Sequence, residues 1–426
     1  MNSKTTAKEA YVWIWLPEET TPVVAGKLEI DAENLIFNYG KSYLQRKNAI
    51  EFHRDELPLK AGKFSLAEDT GCIRDSAPDS WGRRVIINRL LSLKGERSNS
   101  ANLHELIYLL ESGSDRIGAL DFQASPKEYI PRLAENVALE ELLESAERVE
   151  KGKPLSRALD QALYHGSSIG GARPKALIEA KNKKYIAKFS SSSDIYNLVK
   201  AEFIAMRLAK LSGLNVAEVS LKKTSRRDVL LVERFDRIKN KNGWQRKMML
   251  SALTLLKLNE MQARYASYED FADIIRSDFT NPKATMQELF ARISFNILCG
   301  NTDDHARNHA AFWDGHALTL TPAYDICPQG RVGNEASQAM LILGENRMSK
   351  IALCFAAAEK FLLSEKEAAS LIEKQVRSII KNWKKVCEEA ELSAVERDFF
   401  WRRQFINPYI FEDLEAKYTK KFLRDL

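Results

Sequence analysis

The order of strand-like and helical segments constrains the fold of this chain most strongly. The segments "KALIEA" and "KYIAKFS" are rich in β-forming residues and are separated by a short polar turn, which predicts a β-hairpin. An amphipathic helix follows in "NLVKAEFIAMRLAKLSG", which ends at Gly213, and then two strands in "NVAEVSLKK" and "DVLLVERFD". From about Leu250 the pattern is helical almost to the end, interrupted only around residues 301–345. We therefore expect a β-rich lobe containing one helix, followed by a helical lobe.

A smaller mixed region precedes these two lobes. The segments "YVWIWLP" and "NLIFNYG" are typical of strands, and "DSWGRRVIINRLLSLKG" is typical of a helix. The segment "ASPKEYIPRLAEN" contains two prolines and predicts a domain boundary near residue 130. A further helix is expected at about Leu139–Glu150. The predicted domains are residues 1–130, 131–240 and 241–426.

Composition narrows the class of protein. A net charge of +6 on 426 residues is too small and too dispersed to indicate direct binding to nucleic acid. The five cysteines are far apart and form no CxxC pair, so neither a disulfide framework nor structural zinc is indicated. No signal peptide and no apolar run long enough to span a membrane is visible. We expect a cytoplasmic protein without membrane contact.

The segment "HGSSIGGARPKALIE" is the first of three polar clusters. Its glycines let backbone N–H groups approach an anion, and Arg173 and Lys175 add positive charge. The residues of interest in this loop are Ser167, Ser168, Gly170 and Gly171. An ordinary surface turn is the alternative, and the GxxxxGK[ST] pattern of a Walker A loop is absent.

The second polar feature is a single lysine, Lys188, inside the apolar segment "YIAKFS". A lysine flanked by apolar residues on a central strand is unusual, because lysine is rarely buried without a partner. In kinases such a lysine contacts the nucleotide phosphates and pairs with a glutamate on the next helix, and Glu202 fits that role. The alternative is an edge strand, from which the lysine reaches solvent.

The third cluster is "GNTDDHARNHAAF". The preceding helix should end near Gly300, and "HALTLTPAYDICP" predicts a short strand that ends at Asp325. His305 and His309 stand four apart as in zinc helices, but Ala306 occupies the place of the HExxH glutamate. Hydrolase chemistry fits poorly as well, since no GxSxG elbow is present and adjacent acids in a loop normally point apart.

Phosphoryl transfer explains more of this cluster. It needs an acid that accepts the substrate hydroxyl proton, with an amide and a second acid that hold Mg²⁺. Asp303 and Asn308 have the five-residue spacing of the kinase pattern HRDxxxxN, and Asp325 follows. Magnesium prefers oxygen ligands of this kind. Lys188 and Glu202 precede them in the order that a kinase requires.

These motifs together resemble the HipA family, the serine/threonine kinase toxins of bacterial toxin–antitoxin modules. The resemblance rests on "SSIGGARPK", "IAKF", "LLVERFDR", "NTDDHARNH" and "LTPAYDI", with "APDSWGRR" nearer the N-terminus. It implies an α+β, bilobal protein-kinase-like fold related to the phosphoinositide kinases. An N-terminal α/β subdomain and a mostly helical C-terminal lobe belong to that fold.

The resemblance also implies roles for individual residues. Asp303 would be the catalytic base, and Asn308 and Asp325 would bind Mg²⁺. The segment "VERF" resembles the hinge, where the backbone of Glu233 and Phe235 would meet adenine. His305 is expected to order the loop from within. The predicted ATP-binding residues are Lys188, Glu202, Glu233, Phe235, Ser168, Gly170, Gly171, Lys175 and His305.

Regulation and partners follow from the same resemblance. Ser168, or Ser167 beside it, would be autophosphorylated, which expels the phosphate loop and switches the kinase off. A small helix-turn-helix antitoxin is the implied partner, with DNA bound only through it, and an aminoacyl-tRNA synthetase is the implied protein substrate. Two alternatives stay open: a kinase of the same fold that acts on a small molecule, and a catalytically idle module that acts through an antitoxin or DNA.

Overall fold

The structure is a computed structural model in which the chain forms two compact units. The first unit comprises Met1–Ser193, Lys222–Leu250 and Phe312–His316, and the second comprises Asp194–Leu221, Ser251–Ala311 and Ala317–Leu426. The structure describes residues 7–32, 34–66, 70–91, 103–133, 139–150, 168–171, 173–190, 194, 196–224, 227–331, 333 and 335–424.

An antiparallel sheet of five strands, in the order β4-β3-β2-β1-β5, forms the N-terminal part of the first unit. Its strands are β1 (Glu9–Ile14), β2 (Val23–Asp31), β3 (Asn34–Tyr39), β4 (Phe64–Leu66) and β5 (Leu120–Gln123). Leu35, Phe37 and Tyr39 alternate as the buried positions of β3, as the two-residue period of a strand requires. The ring of Phe37 covers Gly26, where a β-carbon would lie 2.6 Å from the ring.

Short helices accompany this sheet, and two smaller sheets follow it along the chain. Among the described residues, the helices of the first unit are α1 (Lys41–Leu44), α2 (Gly71–Arg74), α3 (Ser80–Leu91), α4 (Glu105–Glu111) and α5 (Leu139–Glu150). The strands that follow are β6 (Lys175–Ala180), β7 (Lys183–Phe189), β8 (Val219–Lys223), β9 (Asp228–Glu233), β10 (Arg237–Asn240) and β11 (Gly243–Arg246). The predicted helix at 139–150 and the predicted hairpin of β6 and β7 are confirmed.

Strand β7 lies between β6 and β9 and is antiparallel to both. The turn that joins β6 to β7 has left-handed backbone at Lys181 (φ 51°) and Asn182 (φ 61°), as a two-residue hairpin turn of type I′ requires. One face of the three strands is apolar and packs against α3 and α5. Its core consists of Trp81, Val85, Leu142, Leu143, Ala176, Ala187, Phe189, Val229 and Leu231.

The second unit is mainly helical. Its helices are α6 (Leu198–Leu211), α7 (Ala252–Leu255), α8 (Tyr268–Asp278), α9 (Pro282–Cys299), α10 (Ile351–Ala357), α11 (Glu365–Glu389), α12 (Ala394–Phe400) and α13 (Ala416–Phe422). The remaining strands of the chain are β12 (Met248–Ser251), β13 (Ala310–Trp313) and β14 (Leu318–Leu320). Within the described ranges, no helix combines the length and the hydrophobicity that crossing a membrane requires.

Helix α9 is the centre of the second unit. Every residue from Leu289 to Cys299 is buried, so the last part of this helix is enclosed on all sides. The helix begins with Pro282 and ends at Gly300, which has the left-handed backbone (φ 72°) typical of a helix C-terminus. A β-carbon on Gly300 would lie 2.7 Å from the main-chain oxygen of Gln404. The predicted end of this helix near Gly300 is confirmed.

Candidate active site

The phosphate loop predicted from the sequence lies at the start of β6. Ser168 is buried, and its Oγ donates a hydrogen bond to the main-chain oxygen of Asp115 at 3.4 Å. The N–H of Gly171 donates to Oδ2 of Asp79 at 2.8 Å, which holds the loop near the start of α3. Ser167, the other serine considered, lies outside the described residues.

Lys175 closes this loop. Its Nζ donates to the main-chain oxygen of Gly170, and a β-carbon on Gly171 would overlap that Nζ. Gly171 also has left-handed backbone (φ 102°), which favours glycine at this position. The lysine head group and the two glycines therefore form one compact structure.

Lys188 is directly opposite Lys175 in the pairing of β7 with β6. Because side chains alternate along a strand, both lysines lie on the face opposite the apolar core, together with Leu230 of β9. Strand β7 is paired on both sides, so the edge-strand interpretation of Lys188 is wrong. Two ammonium groups on one face of a sheet give that face a positive potential that suits a phosphate group.

The segment with the hinge motif follows β9. The N–H of Arg234 donates to the main-chain oxygen of Lys184 at 2.8 Å. The carboxylate of Glu233 accepts a hydrogen bond from Lys183 at 2.6 Å. The ring of Phe235 meets Phe312 edge to face, with 6.0 Å between ring centroids.

A buried ionic cluster, which the sequence interpretation missed, lies behind this segment. Its charged side chains are Asp115, Arg234, Asp236 and Arg237, and both arginines also donate to the main-chain oxygen of Arg116. Burial alone would raise the pKa of Asp115, but the charges of Arg234 and Arg237 hold it well below its usual value. The sequence did contain a signal, because in "ERFDR" three charged residues follow a buried strand directly. Charges at such a position are more simply explained by a surface turn.

The polar loop after α9 is ordered by its own main chain. The main-chain oxygen of Asp303 accepts hydrogen bonds from the N–H of His305 at 2.9 Å and from Nδ2 of Asn308 at 3.0 Å. The N–H of Asn308 donates to the oxygen of His305 at 2.8 Å. His305 thus orders the loop through its backbone. The carboxyl group of Asp303 is exposed, as a base that meets an external hydroxyl must be.

Asp304, which the sequence interpretation left without a role, anchors this loop. Its Oδ2 accepts hydrogen bonds from Tyr268, from Nδ2 of Asn296 at 2.7 Å and from Nε2 of His309 at 3.0 Å. Burial would raise the pKa of Asp304, but the charge of His309 and these hydrogen bonds hold it below its usual value. The adjacent acids therefore point apart: Asp304 is buried and Asp303 is exposed.

Asp325 lies in an irregular segment, so the prediction of a strand ending there is wrong. Strand β14 ends at Leu320, and Pro322, which has no N–H, cannot extend a ladder. The N–H of Ala323 donates to the oxygen of Asn215 at 2.8 Å. Asp325 itself has left-handed backbone (φ 59°), a strained conformation that clusters at functional sites.

The Asp325 segment contacts the polar loop directly. The hydroxyl of Tyr324 donates to the main-chain oxygen of Arg307 at 2.7 Å, and the N–H of Gln329 donates to the oxygen of Gly300 at 3.0 Å. The residue before Asp325 is thereby joined to the residue before Asn308. Because Nδ2 of Asn308 is used within the loop, its amide oxygen is the end that could bind a cation. A carboxylate and an amide oxygen are ligands that suit Mg²⁺.

The predicted site residues divide between the two units. The phosphate loop, Lys188 and the hinge segment belong to the first unit. Glu202, buried in α6, belongs to the second unit, as do Asp303, Asn308 and Asp325.

Comparisons with known proteins place the chain in a family. Residues 167–383 match the family model described as "HipA-like C-terminal domain", and residues 14–123 match "HipA N-terminal domain". The "Serine/threonine-protein kinase toxin HipA" of Shewanella oneidensis is 30% identical over 187 residues, which cover 37% of this chain and 42% of that protein. Two further curated relatives are covered over 34% and 58% of their lengths.

A solved structure agrees over nearly the whole chain. It is the Shewanella oneidensis complex of HipA, HipB and operator DNA, matched with a TM-score of 0.68 and 21% identity over 95% of both chains. At that identity the likeness shows the fold, and it confirms the predicted α+β, kinase-like class. The family model covers half of the sequence, and the fold agrees with it. The chain belongs to the HipA family.

Proposed function

We propose that this chain is an ATP- and Mg²⁺-dependent serine/threonine protein kinase of the HipA toxin type. One observation carries the proposal: the hydrogen bond from Tyr324 to Arg307 joins the Asp325 segment to the loop that holds Asp303 and Asn308. This contact supports a site in which an exposed acid, Asp303, a buried amide, Asn308, and a second acid, Asp325, act together as phosphoryl transfer requires.

Each residue then has a defined task. Asp303 accepts the proton of a serine or threonine hydroxyl while the hydroxyl oxygen bonds to the γ-phosphorus of ATP and the bond to the β,γ-bridging oxygen breaks, which releases ADP. Asn308 and Asp325 would hold Mg²⁺, which neutralises phosphate charge when bound. Lys188 and Lys175 orient the phosphates from the sheet of the first unit.

The test of the base is Asp303→Asn, which keeps the size of the side chain and removes its basicity. Transfer of labelled phosphate from ATP should fall by about a thousandfold or more, since general bases contribute about 10²–10⁴ in rate and the developing charge is also lost. Binding of ATP and the urea midpoint should be unchanged. Asp398→Asn is the matched control, because its carboxylate is 80% exposed on α12. Undiminished transfer by Asp303→Asn would refute the assignment.

Autophosphorylation of Ser168 or Ser167 belongs to the same proposal. The Oγ of Ser168 is buried against the main-chain oxygen of Asp115, so a phosphate there would place nearly two negative charges in a buried position beside a carbonyl oxygen. The loop would have to leave this position. Mass spectrometry after incubation with Mg-ATP should find one phosphate in the peptide that contains both serines. A Ser168→Ala variant separates the two positions.

The substrate and the partner are inferred from relatives. The Shewanella oneidensis HipA is described in complex with HipB and operator DNA. We infer that this chain binds a small helix-turn-helix antitoxin, reaches DNA through that antitoxin, and phosphorylates a translation component such as an aminoacyl-tRNA synthetase. Co-expression with the neighbouring open reading frame, followed by gel filtration, tests the first point.

Incubation with labelled ATP and a cell lysate tests the substrate. Label in a single large protein would support a protein kinase with that target. Label only in the small-molecule fraction would favour a small-molecule kinase of the same fold. If neither fraction is labelled, and the pure protein does not label itself, the chain is a binding module and the kinase proposal fails.

A further inference from the structure

One buried carboxylate, Asp115, contacts three elements of the first unit that the proposed function assigns to ATP. These elements are the phosphate loop at Ser168, strand β7 at Lys184 and the hinge segment at Arg234. We propose that Asp115 is a positioning residue that fixes the hinge and the phosphate loop relative to each other. This inference rests on the proposed function, and it assigns to the N-terminal part of the chain an indirect role in nucleotide binding, through the two segments that Asp115 holds.

The connection to the hinge runs through the guanidinium of Arg234. Its Nη1 donates to the carboxylate of Asp115 at 3.1 Å and to the main-chain oxygen of Asp115 at 3.0 Å. Its Nε and Nη2 donate to the two carboxylate oxygens of Asp236 at 2.9 and 2.7 Å, and Nη2 also reaches the oxygen of Arg116 at 2.6 Å. A planar group held along its whole edge fixes the backbone of its own residue. Arg234 lies between Glu233 and Phe235, the two residues whose backbone is proposed to meet adenine.

A second arginine strengthens the same connection. The Nη2 and Nε of Arg237 donate to the carboxylate of Asp115 at 3.0 and 3.1 Å. Its Nη1 donates to Asp236 at 2.8 Å and to the main-chain oxygen of Gly118 at 2.9 Å. The two carboxylates are thus shared between the two arginines, and the hinge segment cannot shift without breaking several charge-assisted hydrogen bonds.

The connection to the phosphate loop uses the other side of the same residue. The main-chain oxygen of Asp115, which accepts from Arg234, also accepts from Oγ of Ser168 at 3.4 Å. Its Oδ2 accepts from Nζ of Lys184 at 2.6 Å, and the main-chain oxygen of Lys184 accepts from the N–H of Arg234. One residue therefore ties the proposed adenine-binding and phosphate-binding segments together.

Stability alone is a poor reason for such a cluster. Burying several charges costs solvation free energy, and well-packed apolar residues of similar volume stabilise a core equally well or better. A rigid frame for a ligand is a different matter, because binding is weakened by any freedom that the free protein must give up. The ionic cluster bonds both the hinge segment and the phosphate loop, as such a frame for a ligand would have to.

The test compares two buried aspartates of the N-terminal part. Asp115→Asn keeps the shape of the side chain and weakens its bonds to Arg234, Arg237 and Lys184. Asp121→Asn is the matched control, because Asp121 is equally enclosed but its hydrogen bonds run to Arg116, Gln123, Tyr129 and Arg132. Lys184→Met is a milder third variant that leaves both arginines on Asp115.

A fluorescent ATP analogue and phosphate transfer at saturating ATP are the two functional measurements. Asp115→Asn should raise the nucleotide Kd about tenfold or more, the size expected for weakened charge-assisted hydrogen bonds. The rate at saturating ATP should fall much less, because the catalytic loop is untouched. Lys184→Met should raise Kd by a smaller factor. An equal rise in Kd for Asp121→Asn, or an unchanged Kd for folded Asp115→Asn, would overturn the proposal.

Hydrogen exchange in the nucleotide-free protein gives a readout that does not depend on kinase activity. Amides of residues 233–237 and 168–171 should exchange faster in Asp115→Asn and Lys184→Met than in the wild type, and at wild-type rates in Asp121→Asn. Unchanged exchange in Lys184→Met would count against the proposal even if Asp115→Asn does not fold. If the wild type binds no nucleotide, the proposed function fails, while the exchange pattern still decides whether Asp115 positions both segments.

Discussion

The hydroxyl of Tyr324 donates a hydrogen bond to the main-chain oxygen of Arg307 across 2.7 Å. Neither residue is proposed to touch the reacting atoms, yet this bond, together with the one from Gln329 to Gly300, holds the loop that carries Asn308 against the segment that carries Asp325. Each of the two proposed metal ligands is therefore positioned through the residue that precedes it in the sequence.

Tyr324→Phe should weaken metal use without unfolding the protein. The ring stays and the hydrogen bond is lost, which corresponds to about 0.5–1.5 kcal/mol, or roughly three- to tenfold. We expect a higher Mg²⁺ concentration for half-maximal transfer and a smaller change in the rate at saturating Mg²⁺. Tyr418→Phe, whose hydroxyl bonds Glu365 on another part of the second unit, is the control. Identical Mg²⁺ titrations of wild type and Tyr324→Phe would contradict the role of this bond.

Lys188→Met should reduce nucleotide affinity selectively. A thioether of similar length fills the space of the lysine stem and cannot pair with phosphate, so the Kd for ATP should rise about tenfold or more. The Kd for adenosine should change little, since adenosine has no phosphate. Lys222→Met, at an exposed position on β8 of the same sheet, is the control. Equal losses for ATP and adenosine would indicate a general disturbance of the sheet.

Asp304→Asn should destabilise the second unit. The change weakens the hydrogen bonds that Asp304 accepts from three buried donors, and leaving such groups unsatisfied typically costs about 1–3 kcal/mol. The urea midpoint should fall, and phosphate transfer should fall with it because Asp303 is the next residue. An unchanged midpoint would mean that the hydrogen bonds from Tyr268, Asn296 and His309 contribute little to stability.

The pH dependence of stability follows from the same carboxylate. The pKa of Asp304 is lower in the folded chain than the unfolded value of about 3.9, so its contribution is fully present above that value. The contribution is lost as the pH falls through the folded pKa. Below about pH 4, the wild type should therefore lose more free energy of unfolding than Asp304→Asn does. Parallel acid-unfolding curves for the two proteins would refute this.

Gly300→Ala should destabilise the chain by more than the usual cost of left-handed backbone. That cost is about 1–2 kcal/mol for a residue with a β-carbon. At Gly300 the β-carbon would also meet the oxygen of Gln404 at 2.7 Å. Gly344→Ala is the matched control, because Gly344 has left-handed backbone (φ 53°) with open space around it. A smaller loss for Gly300→Ala than for Gly344→Ala would contradict the steric argument.

Local patterns predicted the elements that depend on local chemistry. The hairpin of β6 and β7, helix α5 and the end of α9 are set by turn residues, periodicity and a glycine cap, all of which are visible in a single sequence. The prediction of a strand that ends at Asp325 was made because "LTLTPAYDI" alternates as a strand does, and it was wrong. Pro322 and tertiary bonds to Asn215 impose an irregular path instead.

The parts of the site that were missed depend on long-range partners. The role of Asp304 requires Tyr268 and Asn296 from two other helices, and the role of Asp115 requires Arg234, which lies 119 positions away. No pattern of neighbouring residues in the sequence predicts such long-range pairs. The five residues with the kinase order were proposed because their spacing matches that of a known mechanism, and their roles stay predictions. That Asp303 is exposed and Asp304 is buried could be expected only from the general rule that adjacent acids in a loop point apart.

The anchoring of Asp304 extends the signature of this site beyond its loop. Nδ2 of Asn296 donates to Asp304, and Oδ1 of Asn296 accepts from Nδ2 of Asn301 at 3.0 Å. An asparagine enclosed in helix α9 is therefore bound by the same constraint as Asp303, the proposed base, which precedes Asp304. A search for distant homologues should weight the pattern N-x4-N-x2-D-x4-H over residues 296–309, since a substitution of the first asparagine would alter the position of Asp303.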